Sequence, residues 1–132
     1  MSVLHIEIDG DSSIVDSVIK ETSLPIYQSY KVGEKHKYRK NKIFNVNMVS
    51  CDVSNKDWDN FKGHIDDIEM FLTKYKKDIK YLLNKYDKIE LTIDLPYECI
   101  LSDSIVNQNN FIPANVLLAL GELRIDLNLS LY

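Results

Sequence analysis

From Asp57 to Tyr86 the large side chains recur at Trp58, Phe61, Ile65, Ile68, Leu72, Tyr75, Ile79, Leu82 and Tyr86. The steps alternate between three and four residues, which lays all of them along one stripe of an α-helix sustained over four heptads. A stripe that regular must be buried, either in a coiled coil with another chain or against the domain's own sheet. Strand-like segments flank it on both sides, so the second reading is the expectation. A continuous helix over this stretch would be about 45 Å long at ~1.5 Å per residue. A chain of 132 residues folds to about 36 Å across, from a radius of gyration near ~14 Å. A bend or break near Thr73-Lys74, or an overhang, is therefore expected. Asp57 and Asp59 are placed in the first turn with Ser54 or Asn55 as cap, and lysines dominate the second half. That order suits the helix dipole.

The remaining segments read in turn. Leu4, Ile6 and Ile8 alternate with His5 and Glu7, a half-buried strand over Val3–Ile8. Asp9-Gly10-Asp11 is a turn, and Asp11 or Ser12 caps a short helix that faces inward through Ile14, Val15, Val18 and Ile19 and stops ahead of Pro25. Ile26 to Val32 is extended and turned by Gly33-Glu34. A return strand is predicted with Phe44, Val46 and Met48 inward and Asn45 and Asn47 outward. Ile89, Leu91, Ile93 and Leu95 alternate with Glu90, Thr92 and Asp94, and Pro96 ends that strand. Residues 97–111 give no clear pattern, although Cys99 and Leu101 could begin a short strand. Pro113 opens a helix over Ala114–Leu120 with Gly121 as its stop. The last strand alternates Leu123, Ile125, Leu127, Leu129 and Leu131 with Arg124, Asp126, Asn128 and Ser130, and runs to the last residue, Tyr132.

The predicted order is β-α-β-β-α-β-α-β. One-sided strands and amphipathic helices give a two-layer α+β sandwich, a mostly antiparallel sheet with helices on one face. The ferredoxin-like β-α-β-β-α-β core plus a C-terminal helix and strand fits, as a single domain over residues 1–132. Hydrophobic content of 45% and charged content of 27% are those of a soluble globular domain able to bury a core unaided. No apolar run reaches the ~18 residues of a membrane span, and the first residues lack the basic-then-apolar order of a secretory signal. A cytoplasmic location is expected. Cys51 and Cys99 are expected to be reduced.

The order of elements and several local motifs resemble a known family. An apolar first strand runs into an acidic turn and short helix. A Tyr-Lys-Val-Gly-Glu hairpin follows at Tyr30 to Glu34, then the long helical stretch. The chain closes with Asn-Val-Leu-Leu-Ala-Leu-Gly-Glu-Leu-Arg-Ile-Asp-Leu-Asn-Leu from Asn115 to Leu129. This is similar to the bacterial domain-of-unknown-function family DUF4279 over nearly the whole chain. The family usually carries a proline between the two parts of its long helix, where this chain has Thr73-Lys74. The resemblance implies no reaction, cofactor or catalytic residue.

The residues themselves offer little catalytic machinery. His5, His36 and His64 lack HExxH or H-x3-H partners and read as exposed or edge residues, and no metal or cofactor is expected. Cys51 has no base at a fixed offset and reads as a small buried hydrophobe. No glycine-rich phosphate loop is present. Lys31, Lys35, Lys37, Arg39, Lys40 and Lys42 with Tyr30 and Tyr38 form a basic arm. That mixture suits nucleic acid, but a solvated hairpin is the better reading in a chain of net charge -4.

The remaining constellation lies on the strands. With helices on one sheet face, the other carries His5, Glu7, Glu90, Thr92, Asp94, Arg124, Asp126, Asn128 and Ser130. No spacing fixes two of its carboxylates as an acid–base pair. A flat acidic surface does complement a basic protein. The expected function is therefore protein binding without an enzymatic role, through Glu7, Glu90, Asp94, Arg124 and Asp126. Its most concrete form is an immunity protein neutralising a basic toxin. The alternative is a small-molecule-binding or regulatory domain, dimeric through its sheet.

Overall fold

A computed structural model describes residues 1–131; Tyr132, the end of the last predicted strand, lies outside the described residues. The elements are β1 (Ser2–Ile8), α1 (Ser13–Glu21), β2 (Ile26–Tyr30), β3 (Asn47–Ser54), α2 (Phe61–Lys85), β4 (Ile89–Tyr97), α3 (Ala114–Glu122) and β5 (Ile125–Leu131). The sheet order is β2-β3-β1-β4-β5. All neighbours are antiparallel except β4 and β5, which run parallel. The first four strands and two helices form the ferredoxin-like core, and α3 is the crossover that lets β5 join in parallel. This is the predicted two-layer α+β sandwich.

The core lies between the helices and one sheet face. Leu4, Ile6 and Ile8 of β1 sit beside Cys51 and Val49 of β3 and Leu91 and Ile93 of β4. Ile65, Ile68, Leu72, Ile79 and Leu82 of α2 cover them, flanked by Val15 and Val18 of α1 and Val116 and Leu120 of α3. The stripe is thus the domain's own core face. It is carried by one uninterrupted helix of 25 residues. The expected break at Thr73 is absent because nothing there interrupts the ladder: the Thr73 hydroxyl donates to the Glu69 carbonyl at 3.0 Å, within the helix.

The start of α2 differs from expectation. Trp58 precedes the helix and is half exposed. The cap is Asn60, not Ser54 or Asn55; its side-chain oxygen accepts from the Gly63 amide at 3.0 Å. A Cβ on Gly63 would come within 2.6 Å of that side chain, so glycine is what lets the cap close. Asp57 and Asp59 lie ahead of the cap rather than in the first turn. His64 is buried, contrary to expectation. Its Nε2–H donates to the Asp57 carbonyl at 3.0 Å, so its Nδ1 accepts from the Ser2 hydroxyl at 2.5 Å. The ring thereby ties β1 and the approach to α2 together.

β3 is offset by one residue from the prediction. Asn47, Val49 and Cys51 face inward, whereas Met48 faces out. The reason is Asn47. Its amide nitrogen donates to the carbonyls of Ile8, Gly10 and Asp11 at 3.2, 3.3 and 3.0 Å, and its oxygen accepts from the Val32 amide at 3.0 Å. A buried amide so satisfied carries little desolvation penalty. It also clamps the β1–α1 turn to the β2–β3 connection.

The ends of the other elements also differ. β4 passes through Pro96 to Tyr97, because β1 has no partner for that position. Residues 98–113 form no strand. Pro113 is the cap of α3 rather than its first residue, and α3 runs through Gly121 to Glu122. The left-handed residue that stops it is Arg124, φ 52°, so β5 begins at Ile125. Cys51 and Cys99 are both free.

Asn47→Ala is expected to destabilise the fold by about 3 kcal/mol in urea unfolding, from several hydrogen bonds at ~1 kcal/mol each. A loss within error of zero would show that Asn47 is not the clamp. Burial holds the His64 imidazole below its ordinary value. The unfolded chain therefore takes up a proton first as pH falls. Stability should be full above the ordinary histidine value near ~6.5 and decline as pH drops below it, down to the lower folded value. His64→Gln should flatten that slope between pH 7 and 5, and an unchanged slope would contradict the assignment.

Candidate partner-binding face

The sheet face opposite the helices is lined by alternate residues of every strand. The register sets their neighbours. Glu7 lies directly across from Glu90, and His5 sits between Ser50 and Thr92. Thr92 neighbours Asp126, and Asp94 neighbours Asn128. Of the predicted partner-binding residues, Glu7, Glu90, Asp94 and Asp126 thus share this face. Arg124 sits in the turn between α3 and β5, ahead of the strand.

Their electrostatic situations differ. Asp94 accepts from His5 Nε2 at 3.0 Å and from the Asn128 amide at 2.6 Å. Glu7, Glu90 and Asp126 make no ion pair among the described residues. Carboxylates directly opposite on antiparallel strands, as Glu7 and Glu90 are, repel one another and cost stability. The lysines of the basic arm do not neutralise them; Lys31 pairs instead with Asp16 on α1, at 3.0 Å.

The face is less flat than its sequence suggested. At one end the segment between β3 and α2 rises beside it and walls a cleft of about 520 Å³. His5 and Asp94 form its floor, with Tyr27, Lys56 and Trp58 among its sides. Burial pushes the Tyr27 phenol upward, and the Asp52 carboxylate adds to the shift, so Tyr27 remains a neutral donor there. At the other end Glu7, Asp9, Asp87 and Glu90 surround a second cleft of about 570 Å³, in which Lys88 is the one cation among the described residues on the wall.

One constellation is visible only in three dimensions. The Ser50 hydroxyl meets His5 Nδ1 at 2.9 Å while His5 Nε2 meets Asp94. Nothing in the sequence links residues 5, 50 and 94; the β3-β1-β4 register brings them together. The serine is only 1% exposed, so this arrangement orients His5 and Asp94 toward the cleft and does not present a nucleophile. Burial likewise pushes the Cys51 thiol up to about 12, which leaves it an unreactive core group. Among the described residues no three His, Cys, Asp or Glu side chains converge as a metal site.

The basic arm is an extension of the β2–β3 hairpin. The Gly33 amide donates to Phe44, the Phe44 amide to Glu34 and the His36 amide to Lys42. The rings of Tyr30, Phe44 and His36 stack in sequence, with centroids 4.2 and 4.6 Å apart. No described helix is long and apolar enough to cross a membrane.

The cross-strand repulsion is measurable. Glu90→Gln is expected to raise stability by about 0.5 kcal/mol in urea unfolding at low salt, with a smaller gain at high salt. A loss of stability would mean that Glu90 is favourably engaged in the folded protein.

Comparison with protein-family models, with curated proteins and with solved structures finds no match to this chain.

Proposed function

We propose that this chain is a cytoplasmic bacterial protein-binding module, and that it captures a basic protein through the open face of its sheet. The observation that carries the reading is the row of carboxylates at Glu7, Glu90 and Asp126, none ion-paired among the described residues and two of them held directly opposite each other. Such an arrangement costs stability in the free protein and returns it when cations of a partner arrive. Asp94, oriented by His5 and Asn128 at a cleft, would receive a lysine or arginine side chain of that partner. Arg124, just beyond β5, would contribute a counter-contact to an acidic group at the rim.

The specific form we favour is an immunity protein that blocks a basic toxin. It fits a small scaffold whose distinctive chemistry is surface charge, and it fits the resemblance to DUF4279. A second reading, a small-molecule or regulatory domain, is favoured by one observation: the 520 Å³ cleft combines aromatic and polar walls.

The test uses immobilised full chain and lysate of the native host at low ionic strength. The expected result is a basic protein that elutes with salt and is lost with Glu90→Lys or Asp126→Lys. Each reversal should cost roughly tenfold in affinity or more, chiefly through slower association. Retention of full affinity by both variants would remove the open face as the site. A partner whose affinity ignores salt would favour the second reading.

A further inference from the structure

β5 ends the sheet and is paired on one side only. Exposed strand edges invite pairing with another chain, and most are blunted by lysine, proline or a bulge. The opposite edge has such devices: Pro25 precedes β2, and the register shifts between Ile26 and Gln28. β5 has neither. Ile125–Leu131 contains no lysine, proline or glycine, and its ladder with β4 runs unbroken from Leu91↔Ile125 to Tyr97↔Leu131. Its single charge is Asp126. On its helix side Ile125 is buried, but Leu129 and Leu131 are 47% and 58% exposed. Among the described residues these two leucines are only partly covered.

We infer that β5 pairs with β5 of a second copy, antiparallel about a two-fold axis at Asn128, so that two five-stranded sheets join into one. The strand's own pattern selects this occupant. Centred on Asn128, the pairing sets Leu127 across from the partner's Leu129 on the helix side and Asp126 across from the partner's Ser130 on the open side. The two Asp126 carboxylates then stand four residues apart along the ladder, about 13 Å at ~3.3 Å per residue. That exceeds the screening length of about 8–10 Å at ordinary salt. No like charges meet, the leucines cover one another, and the contact is isologous, so it closes at two copies. Both acidic faces stay on the same side of the joined sheet and remain open. The inference does not depend on what those faces bind.

The test is made on the full chain with Cys99→Ser, so that no exposed native thiol interferes. Across the axis the two Asn128 Cα atoms would be about 4.5–5.5 Å apart, within disulfide reach. Asn128→Cys should therefore form a covalent dimer on mild oxidation, whereas Leu117→Cys, on the exposed side of α3, should not. In sedimentation velocity the wild-type chain is expected to be a dimer. Leu129→Lys, at a position already half exposed, is expected to keep its circular dichroism while weakening association by roughly tenfold or more, since the pairing would bury an unpaired lysine. Leu131→Lys serves the same purpose should Leu129→Lys lose its fold. A monomeric wild type, including one that associates only with a different protein, overturns the inference. So does a dimer that survives in the folded lysine variant, or one cross-linked through Leu117→Cys and not Asn128→Cys.

Discussion

The burial of one helix stripe against one sheet face is the contact on which the rest of the molecule depends. Ile65, Ile68, Leu72, Ile79 and Leu82 of α2 lie over Leu4, Ile6, Leu91 and Ile93. Each such side chain contributes about 1.5–3 kcal/mol on burial. Strands with a period of two have only one apolar face to offer, so the helices must gather on that side. The polar residues of every strand are left together on the other. The open acidic face is therefore a consequence of the core and not a separate feature of the fold.

Buried polar groups fix the register of this packing. Asn47 and His64 make hydrogen bonds that an apolar side chain could not, and each joins segments far apart in sequence. Asn47 holds β3 so that Cys51 and Val49 face the core and Ser50 comes beside His5. A slip of one residue would exchange the two faces. The orientation of His5 and Asp94 at the cleft therefore rests on an asparagine at the far end of the same strand pair.

Period and spacing made much of this legible. The stripe of α2, the alternation in β1, β4 and β5, and the element order follow from local pattern, and with them the sandwich and the sharing of one face by Glu7, Glu90, Asp94 and Asp126. What the pattern misread depends on distant partners. Asn47 reads as a surface residue until three carbonyls and an amide are brought to it. His64 reads as exposed until Ser2 and Asp57 enclose it. Arg124 fits the alternation of β5 but adopts a left-handed backbone to end α3, a position where glycine is usual. The clefts and the Ser50–His5–Asp94 chain arise from strand register and from the wall ahead of α2, neither of which leaves a periodic trace. The Glu7–Glu90 juxtaposition is likewise a property of register alone.

Carboxylate labelling of the protein, free and bound to its captured partner, shows whether the open sheet face is the surface that binds. Carbodiimide coupling followed by mass spectrometry reports each acidic side chain separately. Glu7, Glu90 and Asp126 are expected to lose reactivity together in the complex, while Asp16, Asp66 and Glu122 on the helical side react as before. Protection of the helical-side group with the open face unchanged would contradict it.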